Sequence, residues 1–344
     1  MKQVFLALSC LTLAAPAIHA QSTGCAPLNG LSFICDLPRP EDLVRIPGQR
    51  WLIVSGIQAG AGLRLIDTRA KSAQPFSGSD TPARLDRNRF ASCPGALEPR
   101  QAIFHGLSLR PAAPGHYTLY VTNHGGRESI EVFDVDVSGA TPSATWVGCV
   151  PMPDNLPANS VAAFDDGALV ATVLSLPGKT NQDVFAGRNT GAVFMWSPGA
   201  SAFRRLDGTD LPGNNGIETS ADGRQFFVVA MGLKQIVAFS RADPSKPIGV
   251  AQLAGFNPDN VRMVDGQLIA AGMALADPSC VAGTPCPRGY VAAAIDPKTL
   301  AVTELARGPA APPYTGTATA IPMDGEIWLS SANGDRVAYR PISR

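Results

Sequence analysis

Apolar residues along this chain come in short runs bounded by turn residues, without the three-to-four spacing of a helix face. Such runs are Trp51-Leu52-Ile53-Val54, Leu119-Tyr120-Val121, Leu169-Val170-Ala171-Thr172-Val173, Phe226-Phe227-Val228-Val229, Gln267-Leu268-Ile269-Ala270 and Glu326-Ile327-Trp328-Leu329. Three to five residues rich in β-branched and aromatic side chains predict buried strands. Before each run stands a polar or glycine-containing pair and an aliphatic residue. The pairs are Glu41-Asp42, His105-Gly106, Asn159-Ser160, Asn215-Gly216, Asp259-Asn260 and Thr317-Ala318. Hairpin turns separate pair from run at Pro47-Gly48, Asp166-Gly167, Asp222-Gly223, Asp265-Gly266 and Asp324-Gly325. A further strand follows in several copies, as in Ser129–Phe133, Ala192–Trp196 and Gln235–Phe239.

Counted at the second residue of each pair (42, 106, 160, 216, 260, 318), the repeats are 64, 54, 56, 44 and 58 residues apart. Short strands recurring about every 50 residues are the signature of propeller blades. The expected fold is all-β, a six-bladed β-propeller occupying residues 21–344 as a single domain.

That architecture carries a chemical expectation. The innermost strand of each blade lines the central channel, so equivalent positions form a ring. The pairs precede that strand and should converge at one end of the channel, making it a metal-binding channel. Glu41 and Asp259 bring carboxylates, and Asn159, Asn215 and Asn260 bring amide oxygens. Hard oxygen donors on a ring suit Ca²⁺, which takes about 6–8 oxygens, better than Mg²⁺, which keeps several waters.

Composition narrows the alternatives. The chain carries 28 Lys+Arg and 28 Asp+Glu, and charged residues are 16 % of the whole. A neutral chain without a basic run is a poor nucleic-acid binder. Beyond residue 20 no apolar run reaches the ~18 residues a spanning helix needs, so no integral membrane segment is expected. Residues 1–20 read as a cleaved secretory signal, with Lys2, an apolar stretch from Val4 to Ile18 and small residues after it. The expected location is therefore periplasmic or secreted. Six cysteines remain after cleavage: Cys25, Cys35, Cys93, Cys149, Cys280 and Cys286. Six cysteines allow 15 connectivities; short loops favour Cys25–Cys35 and Cys280–Cys286, leaving Cys93–Cys149. No CxxC, HExxH or G-x-S-x-G occurs, so zinc and serine-triad chemistry are unsupported.

At these same residues the chain resembles the serum paraoxonase/arylesterase family, calcium-dependent lactonases built on a six-bladed propeller. The match runs in order through Pro40-Glu41-Asp42-Leu43, Phe104-His105-Gly106-Leu107, Val121-Thr122-Asn123-His124, Ile130-Glu131-Val132-Phe133, Asn159-Ser160-Val161, Asn215-Gly216-Ile217 and Asp259-Asn260-Val261. The resemblance implies that Glu41, Asn159, Asn215, Asp259 and Asn260 hold a catalytic Ca²⁺. It further implies that His105 and His124 form a catalytic pair beside it, His105 acting as base for the attacking water. The implied activity is hydrolysis of small lactones or aryl esters. Gluconolactonase-like and strictosidine-synthase-like propellers share the fold and part of the ring, so their chemistry is the alternative. A non-catalytic scaffold with structural calcium is a third.

The sequence also departs from the family pattern. A second, structural calcium is implied at Asp42 and the Leu107 backbone carbonyl, yet Ser160 stands where the family has an aspartate. The tail lacks the cysteine that closes the family's ring, so closure here must be noncovalent or otherwise stapled. The segment around Lys179 to Gly191 is shorter than the family's lipoprotein-attaching insertion.

Overall fold

The computed structural model describes residues 24–76, 83–276 and 286–342. Strand β1 (Ser32–Ile34) is followed by six hairpin-rich units. Blade one is β2 (Pro40–Arg45), β3 (Trp51–Gly56), β4 (Leu63–Asp67) and β5 (Ser72–Pro75). Blade two is β6 (Phe104–Pro111), β7 (His116–Asn123), β8 (Ser129–Asp136) and β9 (Ser143–Pro151). Blade three is β10 (Val161–Ala163), β11 (Leu169–Val173), β12 (Ala192–Trp196) and β13 (Arg204–Arg205). Blade four is β14 (Asn214–Thr219), β15 (Gln225–Ala230), β16 (Gln235–Ser240) and β17 (Pro247–Gln252). Blade five is β18 (Phe256–Val264), β19 (Gln267–Ala274), β20 (Tyr290–Ile295) and β21 (Val302–Gly308). Blade six is β22 (Ala320–Met323), β23 (Glu326–Leu329), β24 (Val337–Pro341) and, as its outer strand, β1.

Every blade is a four-stranded antiparallel meander, and the first strands β2, β6, β10, β14, β18 and β22 pack in sequence. Contact of β22 with β2 completes the circle. The chain is therefore a six-bladed β-propeller. The blades hold together because their strands are apolar on both faces. Ile53 and Leu65 of blade one meet Leu107, Leu119 and Val135 of blade two, and Val170 and Val193 of blade three meet Phe226, Val237 and Phe239 of blade four. Each such side chain contributes roughly 1.5–3 kcal/mol on burial.

The ring closes without a cysteine at the C-terminus. β1 pairs antiparallel with β24 through Ser32↔Tyr339, Phe33↔Ala338 and Ile34↔Val337. Cys25–Cys35 brackets this closing strand, and Cys93–Cys149 staples the long connection between blades one and two to β9. The third expected bridge involves Cys280, which lies outside the described residues, as does the expected signal at 1–20. Two disulfides fit an oxidising compartment. Among the described residues no helix is long and apolar enough to cross a membrane.

Turn chemistry places the hairpins. Asp265-Gly266 and Asp324-Gly325 are two-residue loops in which both residues have positive φ, the geometry that matches strand twist. Residues at these inner turns lie at the end of the channel opposite the polar pairs. Connections between second and third strands lie at the pairs' own end. One of them, in blade three, carries the short helix α1 (Asn181–Phe185), started by a Thr180/Asp183 capping box.

Candidate functional site

The polar pairs occupy irregular backbone. Register on the inner strand slips between Pro40 and Leu43, Phe104 and Leu107, Asn214 and Ile217, and Pro258 and Val261. Four pairs thus lie on β-bulges inside the inner strands, where the sequence placed them before those strands. Asn159-Ser160 and Thr317-Ala318 do precede theirs. A bulge re-aims consecutive side chains out of the strict two-residue alternation, which lets adjacent residues take different roles.

The bulges form a closed belt. Leu107 N–H donates to Asp42 Oδ2 at 2.7 Å, joining blades one and two. A Cβ on Gly106 would come within 2.6 Å of Ser160 Cα, so only glycine permits that approach between blades two and three. Thr172 Oγ1 donates to the Asn215 carbonyl at 2.6 Å. A Cβ on Gly216 would meet Asn260 Cα at 2.6 Å, Asn260 N–H donates to the Ala318 carbonyl at 3.0 Å, and Ser330 Oγ donates to the Glu41 carbonyl at 2.6 Å. His-Gly and Asn-Gly therefore recur because neighbouring inner strands touch backbone to backbone at that level.

Inside the belt, Glu41, Asn215 and Asn260 are buried, at 2 %, 3 % and 2 % exposure, while His105, Asn159 and Asp259 are partly exposed. Asn260 Nδ2 donates to Glu41 Oε1 at 2.7 Å and to Thr319 Oγ1 at 3.1 Å; those bonds use its NH₂ and not its carbonyl oxygen. Asn215 lies beside Asp259, and its Nδ2 reaches Met231 Sδ at 3.5 Å. Asn159 is fixed through its backbone, N–H donating to the Thr172 carbonyl at 2.7 Å. Glu41 Oε2 and Asn215 Oδ1 are buried with no hydrogen-bond partner. Orphaned buried acceptors are costly and uncommon, so two of them in one ring is a feature of the donor set.

The two histidines meet, and an acid missed in the sequence completes them. His105 Nδ1 lies 3.0 Å from His124 Nε2, and His124 Nδ1 lies 2.8 Å from Glu128 Oε2. Where His124 donates from Nδ1 to Glu128, its Nε2 accepts, and His105 donates from Nδ1. In the neutral imidazole this network leaves the lone pair of His105 on Nε2; in the protonated form, which the neighbouring carboxylates favour, Nε2–H faces Glu41 Oε2 at 3.5 Å. His116, the remaining described histidine, pairs with Asp134 at 3.0 Å at the far end of β7 and plays no part here.

Charge crowds this ring. Burial, then the neighbouring charge of Glu41, pushes the Asp259 carboxyl up to about 7. Burial pulls His105 down, but the carboxylates of Glu41, Asp259 and Asp42 outweigh it and raise the imidazole above its ordinary value. Burial works against the Glu41 carboxylate, yet His105, Arg262 and Asn260 hold it below the usual range. A cation bound near Glu41 and Asp259 would relieve this crowding. Among the described residues no group of three or more His, Cys, Asp or Glu converges as a metal cage. The donor set is instead two carboxylates plus amide oxygens, which suits a hard cation and no soft one.

At Asp42 and Leu107, where a second ion is expected, protein donors occupy the carboxylate. Leu107 turns its N–H, not its carbonyl, toward Asp42. Asp42 Oδ1 accepts from Leu43 N–H at 2.8 Å and Thr319 Oγ1 at 2.7 Å, while Oδ2 also takes the Arg262 guanidinium. Four donors saturate the carboxylate. Arg262, 3 % exposed, donates on to the carbonyls of Val261 at 2.7 Å and Ile217 at 3.4 Å. Below it, Glu218 accepts from Arg110 at 2.5 Å, Thr219 N–H at 2.9 Å and Met263 N–H at 3.1 Å. A separate cavity of about 440 Å³ between blades one and two is lined by Phe104, Glu131, Phe133 and Trp146 but by none of the ring residues.

No protein-family description and no curated protein matches this chain. Solved structures do. A luciferin-regenerating enzyme aligns over 90 % of this chain and 92 % of its own, at 12 % identity and a TM-score of 0.53. A glucose dehydrogenase aligns over 91 % and 99 %, at 12 % identity and 0.52. The calcium-binding protein regucalcin from Agrobacterium tumefaciens aligns over 90 % and 91 %, at 11 % identity and 0.50. At such identities the likeness establishes the six-bladed propeller and leaves the activity open.

Proposed function

We propose that this protein is an exported, calcium-dependent hydrolase of small lactones or aryl esters, of the kind its resemblance to the paraoxonase/arylesterase family implies. Glu41, Asn159, Asn215, Asp259 and Asn260 are the residues that would hold the ion. When bound, calcium supplies a Lewis acid for the substrate carbonyl and for the charge that develops on its oxygen. The single observation that carries the reading is the His105–His124–Glu128 chain, which sets the His105 imidazole beside Glu41, with Nε2 3.5 Å from Oε2. His105 Nε2 takes the proton of the attacking water, and His124, held by Glu128, stabilises the imidazolium that results. The narrow belt of Gly106 and Gly216 keeps these groups in fixed register.

Secretion accords with the two disulfides and with the apolar N-terminal stretch. The fold hosts a calcium-binding regucalcin and a dehydrogenase alike, so it admits this chemistry without selecting it. Purified protein should hydrolyse members of a panel of short lactones and phenyl acetate, and EDTA should abolish turnover with recovery on added calcium. No turnover of any substrate by calcium-loaded protein overturns the proposal in favour of a scaffold.

A further inference from the structure

We propose that Arg262 is a built-in cation, standing where a second metal ion is expected, and that its removal opens a divalent-cation site. The resemblance places a second ion on Asp42, and the residues present refuse one: the guanidinium already fills that face of the carboxylate. Its surroundings are those of a hard cation. Two backbone carbonyls, Ile217 and Val261, accept from Nη1, the Asp42 carboxylate accepts from Nη2, and the charge of Glu218 faces it from blade four. Oxygen donors therefore surround it from blades one, four and five. The guanidinium fits this shell imperfectly, because its Nε is buried without a partner. A planar fork cannot satisfy a roughly spherical set of oxygens, whereas Ca²⁺ can.

The same position explains why Ser160 is tolerated where the family carries an acid. With one positive charge supplied by Arg262 instead of two by a metal ion, one fewer carboxylate balances the channel. Shortening Arg262 to an apolar side chain leaves Asp42, Glu218 and the two carbonyls facing a space with net negative charge.

The test is calcium stoichiometry by equilibrium dialysis and elemental analysis, with thermal unfolding in EDTA and in millimolar calcium. Arg262→Met should bind one more calcium per chain than the unmodified protein and gain a calcium-dependent rise in midpoint. Arg262→Lys keeps a positive charge and should bind no additional ion. If Arg262→Met is unfolded in EDTA, added calcium should refold it; failure to refold overturns the proposal. So does a folded Arg262→Met with unchanged stoichiometry, or an unmodified protein that already holds two ions. The inference depends on the calcium-ring reading only for the ion count of the unmodified protein. Zero ions there defeats the ring reading, while a gained ion in Arg262→Met still supports this one.

Discussion

Two levels of one channel, a single residue apart in sequence, are built on opposite principles. At the upper level Glu41 and Asn215 each keep a buried oxygen without a partner, and Asp259 is pushed to about 7 by burial and its neighbours. At the lower level Asp42, Arg262, Glu218 and Arg110 form a network in which both carboxylates are satisfied several times over. Both levels are polar, buried and contributed by the same inner strands. A satisfied network locks blades together, whereas a ring with orphaned acceptors has hydrogen-bonding capacity that the protein itself leaves unmet. Burial of a charged group alone therefore does not distinguish the two levels, whereas carboxylate and amide oxygens left without partners do.

The sharpest way to break the contrast is Asp42→Ala. It strips the acceptor from Arg262, Leu107 N–H, Leu43 N–H and Thr319, and it leaves a guanidinium buried without its counter-charge. Loss of one partner of a buried pair costs about 3–5 kcal/mol. Urea unfolding should show that loss equally with and without calcium if Arg262 stands in place of an ion at the lower level. A change below about 1 kcal/mol would mean that the lower level is not a structural lock.

The upper level should respond in the reverse sense. His105→Gln should lower kcat by about 10²–10⁴, the worth of a general base. The urea midpoint should fall only slightly, by the loss of the His105–Glu41 contact between blades one and two, and calcium content should be retained. Glu128→Gln should lower kcat less, since glutamine still accepts from His124 but no longer stabilises a charged pair. Unchanged turnover in His105→Gln removes it from the mechanism.

These opposed roles explain how far the sequence could be read. The blade count followed from periodicity, because strands that must be apolar on both faces and turns that need Asp-Gly leave local signals. The ring residues were visible for a related reason: one small polar pair recurs at a fixed phase, and glycine in it reflects the backbone approach at Gly106 and Gly216. The closing pairing of β1 with β24 left no such trace, as three short residues at each end carry no pattern that names the partner. Arg262 and Arg110 were equally silent. A lone arginine in a strand reads as a solvated edge residue, and only the three-dimensional circle shows that its neighbours are Asp42 and Glu218, each far away in sequence. Glu128 was hidden by local turn chemistry, since an acid after Gly-Gly-Arg looks like part of a loop until His124 is found 2.8 Å from it.

Asn215→Ala makes the finest cut between the levels, because it removes an orphaned oxygen without touching a salt bridge. In calcium-free protein the substitution should change stability little, as the lost carbonyl had no partner and what goes with it is the amide's weak contact to Met231 and its hydrogen bond to Asp259. In calcium the prediction differs. An ion at 100 times its Kd stabilises the fold by about 2.7 kcal/mol, and a tenfold weaker site at the same calcium gives only about 1.4 kcal/mol. The variant should therefore lose roughly half of the calcium-dependent stabilisation while its calcium-free midpoint holds still. Equal losses in EDTA and in calcium would place Asn215 with Asp42 among the locking residues, and the distinction between the two levels would then end at Glu41.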